Sequence, residues 1–152
     1  MKRFALSFKY AASGILSALK TGGNLRFMAA FSALMILFAV PVFENLTEWA
    51  VLFAVIGITL AAETFNSSVE RLCDRVCKTP DKDIKFVKDT AAGAVLLVSV
   101  FDCAAGVCLF VLNGRLPKII RFCLSHFAYS AAVILILILI ILSVILRGKQ
   151  ND

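Results

Sequence analysis

The stretch AETFNSSVERLCDRV, Ala62 to Val76, decides how this chain is read. It follows directly on an apolar run and carries Glu63, Asn66, Glu70 and Asp74. At about 100° per residue these four fall within an arc of roughly 80° on one helix face, and Glu63 and Asp74 lie about 16 Å apart along the axis. A column of polar groups therefore descends from inside a bilayer to its surface. Ionisable groups at membrane depth are costly and mark function by default. A helix end emerging into water accounts for Glu70 and Asp74, but poorly for Glu63 and Asn66.

Outward from that stretch, the chain is a membrane protein by composition. Of its 152 residues, 61% are hydrophobic, and the mean hydropathy is +0.91. Soluble domains sit nearer 45–50% apolar. The formal charge of +6 lies between apolar runs, which points to membrane topology and away from nucleic acid. The five cysteines form no CxxC pair and no disulfide framework. Cys73 and Cys77 share a face at i, i+4, a weak metal signal. His126, the single histidine, reads as interfacial.

The fold class predicted is an all-α membrane protein. Residues 2–20 form an amphipathic interfacial helix, with Phe4, Phe8, Ala11, Ile15 and Leu19 on one side and Lys2, Lys9, Ser13, Ser17 and Lys20 on the other. Thr21-Gly22-Gly23-Asn24 breaks it, and the chain turns into the membrane. Three spans follow, at about 26–43, 46–65 and 86–112, the second continuing as helix past Asp74. Thr79-Pro80-Asp81 is a turn. The small residues Ala91-Ala92-Gly93-Ala94 permit close helix approach. Residues 1–112 make one membrane domain. Residues 113–152 add a fourth span, from about Ile119 to Leu146, and a short tail. Asp102 lies about 20 Å below Lys88 in the third span. A carboxyl at that depth is held neutral or finds a partner such as Thr59.

Lysine and arginine set the orientation. Thirteen cations lie in the segment up to Arg26, the 71–88 loop and the tail, against Arg115, Lys118 and Arg121 on the other side. Both termini and the 71–88 loop are thereby expected in the cytoplasm, in a multi-pass protein of a bacterial plasma membrane. The polar column then ends on the cytoplasmic side.

A carboxylate at that depth can take a proton from a lipid hydroxyl, and Glu63 suits this role. A carboxylate nearer water can hold Mg²⁺ together with phosphate oxygens. Glu70 suits that, with Asp74 as helper. Lys88 can neutralise phosphate charge and Asn66 can donate to it. No GxxxxGK is present, which excludes a P-loop. Phosphoryl transfer needs mainly positioning and charge stabilisation.

Two motifs carry a resemblance. Glu63-Thr-Phe-Asn66-Ser-Ser-Val-Glu70-Arg-Leu-Cys-Asp74 and Val87-Lys88-Asp89-Thr-Ala-Ala-Gly93-Ala-Val-Leu, in order and at that spacing, resemble the prokaryotic diacylglycerol kinase/undecaprenol kinase family. Ser7-Phe-Lys-Tyr10-Ala, with Gly14, is similar to its surface helix. The resemblance covers residues 4–112. It implies Glu63 as catalytic base, Glu70 as metal ligand, and Tyr10, Asn66, Asp74, Lys88 and Asp89 around ATP and its phosphates. It also implies Mg²⁺, a lipid alcohol acceptor (undecaprenol or diacylglycerol), and a homotrimer with sites shared between subunits.

The chain departs from the family at two places. Gly22-Gly23-Asn24-Leu25-Arg26 has glycine where the family has a glutamate that is a second metal ligand. In the loop, Asp81 stands where a histidine is frequent, and Asp81 or Asp83 is a candidate source of negative charge near the metal. Gly22 motivates an alternative: a scaffold or binding subunit with impaired catalysis. A small transporter using Glu63 and Asp102 is the third reading, disfavoured because the polar column stops short of a continuous path.

Overall fold

The computed structural model describes residues 2–148, with side chains from residue 3 to residue 142. The expected tail, with Lys149, and the side chain of Arg147 lie outside them. Every regular element described is helical: α1 (Lys2–Thr21), α2 (Gly23–Ala39), α3 (Leu46–Val76), α4 (Lys82–Gly106), a π-helical turn (Val107–Leu112), α5 (Leu116–Ser125) and α6 (Phe127–Gly148). Leu46–Val76 and Lys82–Leu112 are each long and apolar enough to cross a membrane. The chain is an all-α membrane protein.

Local chemistry sets the breaks. Gly22 has extended backbone, φ −91° and ψ 110°, and the chain bends by 101° between α1 and α2. Asn45 caps α3 by accepting from the Glu48 amide at 3.0 Å, and the Glu48 side chain accepts from the Glu44 amide in return. Asp81 caps α4, accepting from the amides of Asp83 and Ile84 at 2.8 and 3.0 Å. The Asp81 carboxylate is thus engaged at a helix start. Gly114, at φ +63°, supplies the left-handed turn after the π-helical segment.

α3 and α4 form the central antiparallel pair. The expected partner of Asp102 is the one observed: the Thr59 hydroxyl donates to Asp102 Oδ2, joining the two helices inside the apolar zone. Hydrogen bonds between helices in membranes average about 0.6 kcal/mol and reach roughly 1.7. Thr59→Val is expected to cost that much, read from reversible unfolding in mixed micelles. No change in unfolding would show that the bond adds nothing. Of the small residues Ala91-Ala92-Gly93-Ala94, Gly93 makes no close approach among the described residues, since a Cβ there would meet nothing within 4 Å.

At the end of the molecule remote from Glu70, an apolar knot ties the loops together. Ala39, Val42, Phe43, Leu52, Phe110 and Ile119 are buried against one another. Phe43 stacks on Phe110, with ring centroids 5.3 Å apart, and meets Trp49 edge-on at 5.4 Å. Arg115 lies over the Phe43 ring, donates to the Leu109 carbonyl and pairs with Glu48.

The stretch expected to be one fourth span is two helices bent by 111°. His126 has extended backbone and ends α5, and its Nδ1 lies within hydrogen-bond reach of Ser125 Oγ and of the Phe122 carbonyl, which can only accept, while its ring stacks on Phe122. α5 is amphipathic, with Ile119 buried and Lys118 and Arg121 exposed. α6 alone continues as the apolar rod, and it packs on α2, where the Tyr129 hydroxyl donates to the Leu37 carbonyl.

Candidate functional site

The polar face of α3 grades from buried to exposed. Glu63 and Asn66 are only 2% and 3% exposed, Glu70 is half-buried, and Asp74 is open. Burying such groups inside an apolar helix pair is costly, so their position is held by the fold against their own hydration. Asn66 Nδ2 donates to Glu70 Oε1 at 3.3 Å, which fixes the amide and aims its oxygen the other way. Asn66 Oδ1 is buried and accepts no hydrogen bond among the described residues. An unsatisfied buried acceptor suits a hydrogen-bond donor from a ligand.

Across from α3, Lys88 on α4 donates to Asp74 Oδ1 at 2.9 Å. The pair is largely exposed and contributes little to stability. It holds the ammonium at the open end of the acidic face, where a phosphate can replace Asp74 as its partner.

The structure therefore brings Glu63, Asn66 and Glu70 onto one face and adds Asp74 and Lys88 at its outer end. It does not bring in Tyr10 or Asp89. Tyr10 is 70% exposed on α1, while Ala11, Gly14, Ile15, Ser17 and Ala18 line the cleft towards α3. Asp89 is exposed, about 100° around α4 from Lys88. Among the described residues no three His, Cys, Asp or Glu side chains converge on a metal position. Glu70 could still supply one carboxylate to Mg²⁺, which takes one or two protein carboxylates and completes its shell with phosphate and water.

Two side chains at this end were not singled out from the sequence. Arg71 donates to the Thr21 hydroxyl at the end of α1, and Ser67 faces Gly22. Arg71 read only as one more cytoplasmic cation, and no periodicity distinguishes it. Its position one residue beyond Glu70 was the available signal.

Gly22 is sterically committed. A Cβ built there would lie 2.8 Å from the Ala18 carbonyl and 3.7 Å from Ser67 Oγ. A side chain at 22 would lie against Ser67 on α3, and only after the end of α1 shifted. Gly22→Glu must therefore be compared with Gly22→Ala, which carries the same Cβ without a carboxylate. The expected result is lower thermal stability in both, with turnover higher in the glutamate variant at limiting Mg²⁺. Equal turnover in the two would show that no metal ligand is missing at this position.

With this geometry in hand, comparisons with known proteins agree on one class of membrane enzyme. Residues 9–110 match the family model described as prokaryotic diacylglycerol kinase, and the chain belongs to that family. It is 31% identical over 119 residues to the undecaprenol kinase of Bacillus subtilis (strain 168), covering 78% of this chain and 93% of that protein. No solved structure matches it significantly.

Proposed function

We propose that the chain is a membrane lipid kinase that moves the γ-phosphate of ATP to a lipid hydroxyl where hydrocarbon meets cytosol. The observation that carries this reading is the burial gradient along Glu63, Asn66, Glu70 and Asp74, with Lys88 at its open end. Its buried end meets the lipid alcohol and its open end meets the nucleotide. The similarity to an undecaprenol kinase makes a polyprenol the first acceptor to test, with diacylglycerol second.

In this reading Glu63 accepts the proton of the lipid hydroxyl as its oxygen bonds to the γ-phosphorus. The bond from that phosphorus to the β,γ-bridging oxygen breaks, and ADP leaves. Glu70 would hold Mg²⁺, which supplies charge neutralisation on the phosphates when bound. Asn66 orients Glu70, and Lys88 exchanges Asp74 for a phosphate oxygen. Tyr10 and Asp89 enter only if the nucleotide or a neighbouring subunit draws them in. A homotrimer with shared sites and a cytoplasmic location of both termini, in a bacterial plasma membrane, complete the proposal.

Purified protein with radiolabelled ATP, Mg²⁺ and a panel of lipids tests it. Label on undecaprenol or diacylglycerol is the expected result. Protein that is folded and labels no lipid alcohol ends the reading.

A further inference from the structure

α1 and α3 enclose a cleft of about 340 Å³ on a face of α3 that the transfer chemistry does not use. Its α3 residues, Thr64, Ser67 and Arg71, each follow one position after Glu63, Asn66 and Glu70, so this face is turned about 100° from the acidic one. Ser17 and Ser68 complete the polar lining, and no acidic side chain enters it.

The donors are arranged for an anion. The Arg71 guanidinium is held at the cleft by the Thr21 hydroxyl, which itself donates to the Ser17 carbonyl at 2.8 Å. That contact uses one of the five guanidinium N–H groups, and a fork of donors remains. Thr64 and Ser68 spend their hydroxyl protons on the carbonyls of Leu60 and Thr64. No hydrogen bond among the described residues engages the hydroxyls of Ser17 and Ser67, which stay available. A guanidinium with free hydroxyl donors, in a cleft with no carboxylate among its described lining residues, is the chemistry that holds phosphate.

The cleft does not end there. A second groove of about 610 Å³ shares Ile15, Thr64 and Ser68 with it and runs on between Leu25, Ala29, Gly57, Leu60 and Ala61. Arg71 and Gly57 are separated by roughly 21 Å of helix. The groove is thus cationic and donor-rich at one end and apolar over the rest. A nucleotide has no tail to fill the apolar part, and a neutral lipid alcohol leaves the guanidinium unanswered. One amphiphile satisfies both ends.

We infer that this cleft binds a lipid phosphate monoester, its phosphate on Arg71, Ser67 and Ser17 and its chain along α3 towards Gly57. Describing that ligand as the product of the reaction rests on the kinase reading above. The binding site itself does not. A terminal monoester offers three oxygens to these donors, whereas a phosphodiester offers two and brings a headgroup that the hydroxyl-lined end must accommodate.

The test is equilibrium binding to the full-length protein in neutral detergent, without ATP, of hexadecyl phosphate, hexadecanol and dioleoyl phosphatidylglycerol. The wild type is expected to bind hexadecyl phosphate most tightly. Arg71→Gln is expected to weaken that binding about tenfold and Ser67→Ala less, with Arg71→Lys in between, and hexadecanol binding unchanged in all. If Arg71→Gln fails to fold because α1 loses its Thr21 anchor, Ser67→Ala carries the test alone. Wild-type affinity for hexadecyl phosphate in a folded Arg71→Gln or in Ser67→Ala overturns the inference, as does phosphatidylglycerol binding as tightly as the monoester. A wild type that transfers no phosphate yet shows Arg71-dependent binding would remove the kinase reading and leave this site standing.

Discussion

Glu63→Gln is expected to cut lipid phosphorylation by about a thousandfold while the protein stays folded and still binds ATP. The substitution keeps the size of a side chain that is 2% exposed, so packing is preserved. What it removes is the proton acceptor that the proposed mechanism places where a lipid hydroxyl would arrive. It also removes an ionisable group from an apolar surrounding, so thermal stability is expected to hold or rise. Glu63→Asp keeps the acid but withdraws it by one methylene. A misplacement of about 1 Å can cost a hundredfold in a positioned reaction, so this variant is expected to be impaired as well. Initial rates of label transfer, beside thermal midpoints and the KM for ATP, read all of these effects. Activity of Glu63→Gln within tenfold of wild type would remove Glu63 from the chemistry.

How much of this was legible beforehand depended on how locally each feature is encoded. The face of α3 is a property of helical period alone, and the burial of Glu63 and Asn66 with the Asn66–Glu70 contact follows that period. The turn before α4 is written in Pro80 and Asp81, each acting within three residues. Even the Thr59–Asp102 bond was accessible, because a carboxyl at that depth needs a partner and few are within reach. The break between α5 and α6 was not, because apolar residues run through it and only Ser125 and His126 mark it. The sequence marked Asp81 by its turn and its negative charge, and its part as the cap of α4 came only with the structure. Arg71 needed coordinates outright, and so did the steric commitment of Gly22, which the sequence marked only as a missing glutamate. Their meaning lies in a contact across α1 and α3 and in a distance to the Ala18 carbonyl, neither of which has a period or a motif.

Glu70 and Asn66 are expected to fail differently from Glu63, and that difference separates their roles. Glu70→Gln removes a carboxylate that would hold Mg²⁺, so the Mg²⁺ concentration for half-maximal rate is expected to rise about tenfold or more, with partial recovery at high Mg²⁺. Asn66→Ala leaves Glu70 in place but strips it of its orienting donor at 3.3 Å and deletes the buried acceptor oxygen beside it. Partners that orient a ligand typically account for ten- to a hundredfold in metal affinity, so Asn66→Ala is expected to shift Mg²⁺ dependence by about as much as Glu70→Gln. The double variant is expected to add little to either single one, since the proposal has both acting on one ion. Glu63→Gln, by contrast, is expected to gain nothing from added Mg²⁺, because a cation near the phosphates would not take a proton from the acceptor alcohol. Titrating Mg²⁺ at saturating ATP and lipid across the four variants distinguishes these patterns. Additive losses in the double variant, or a Glu70→Gln curve superimposable on wild type, would show that the metal is held elsewhere on the helix pair.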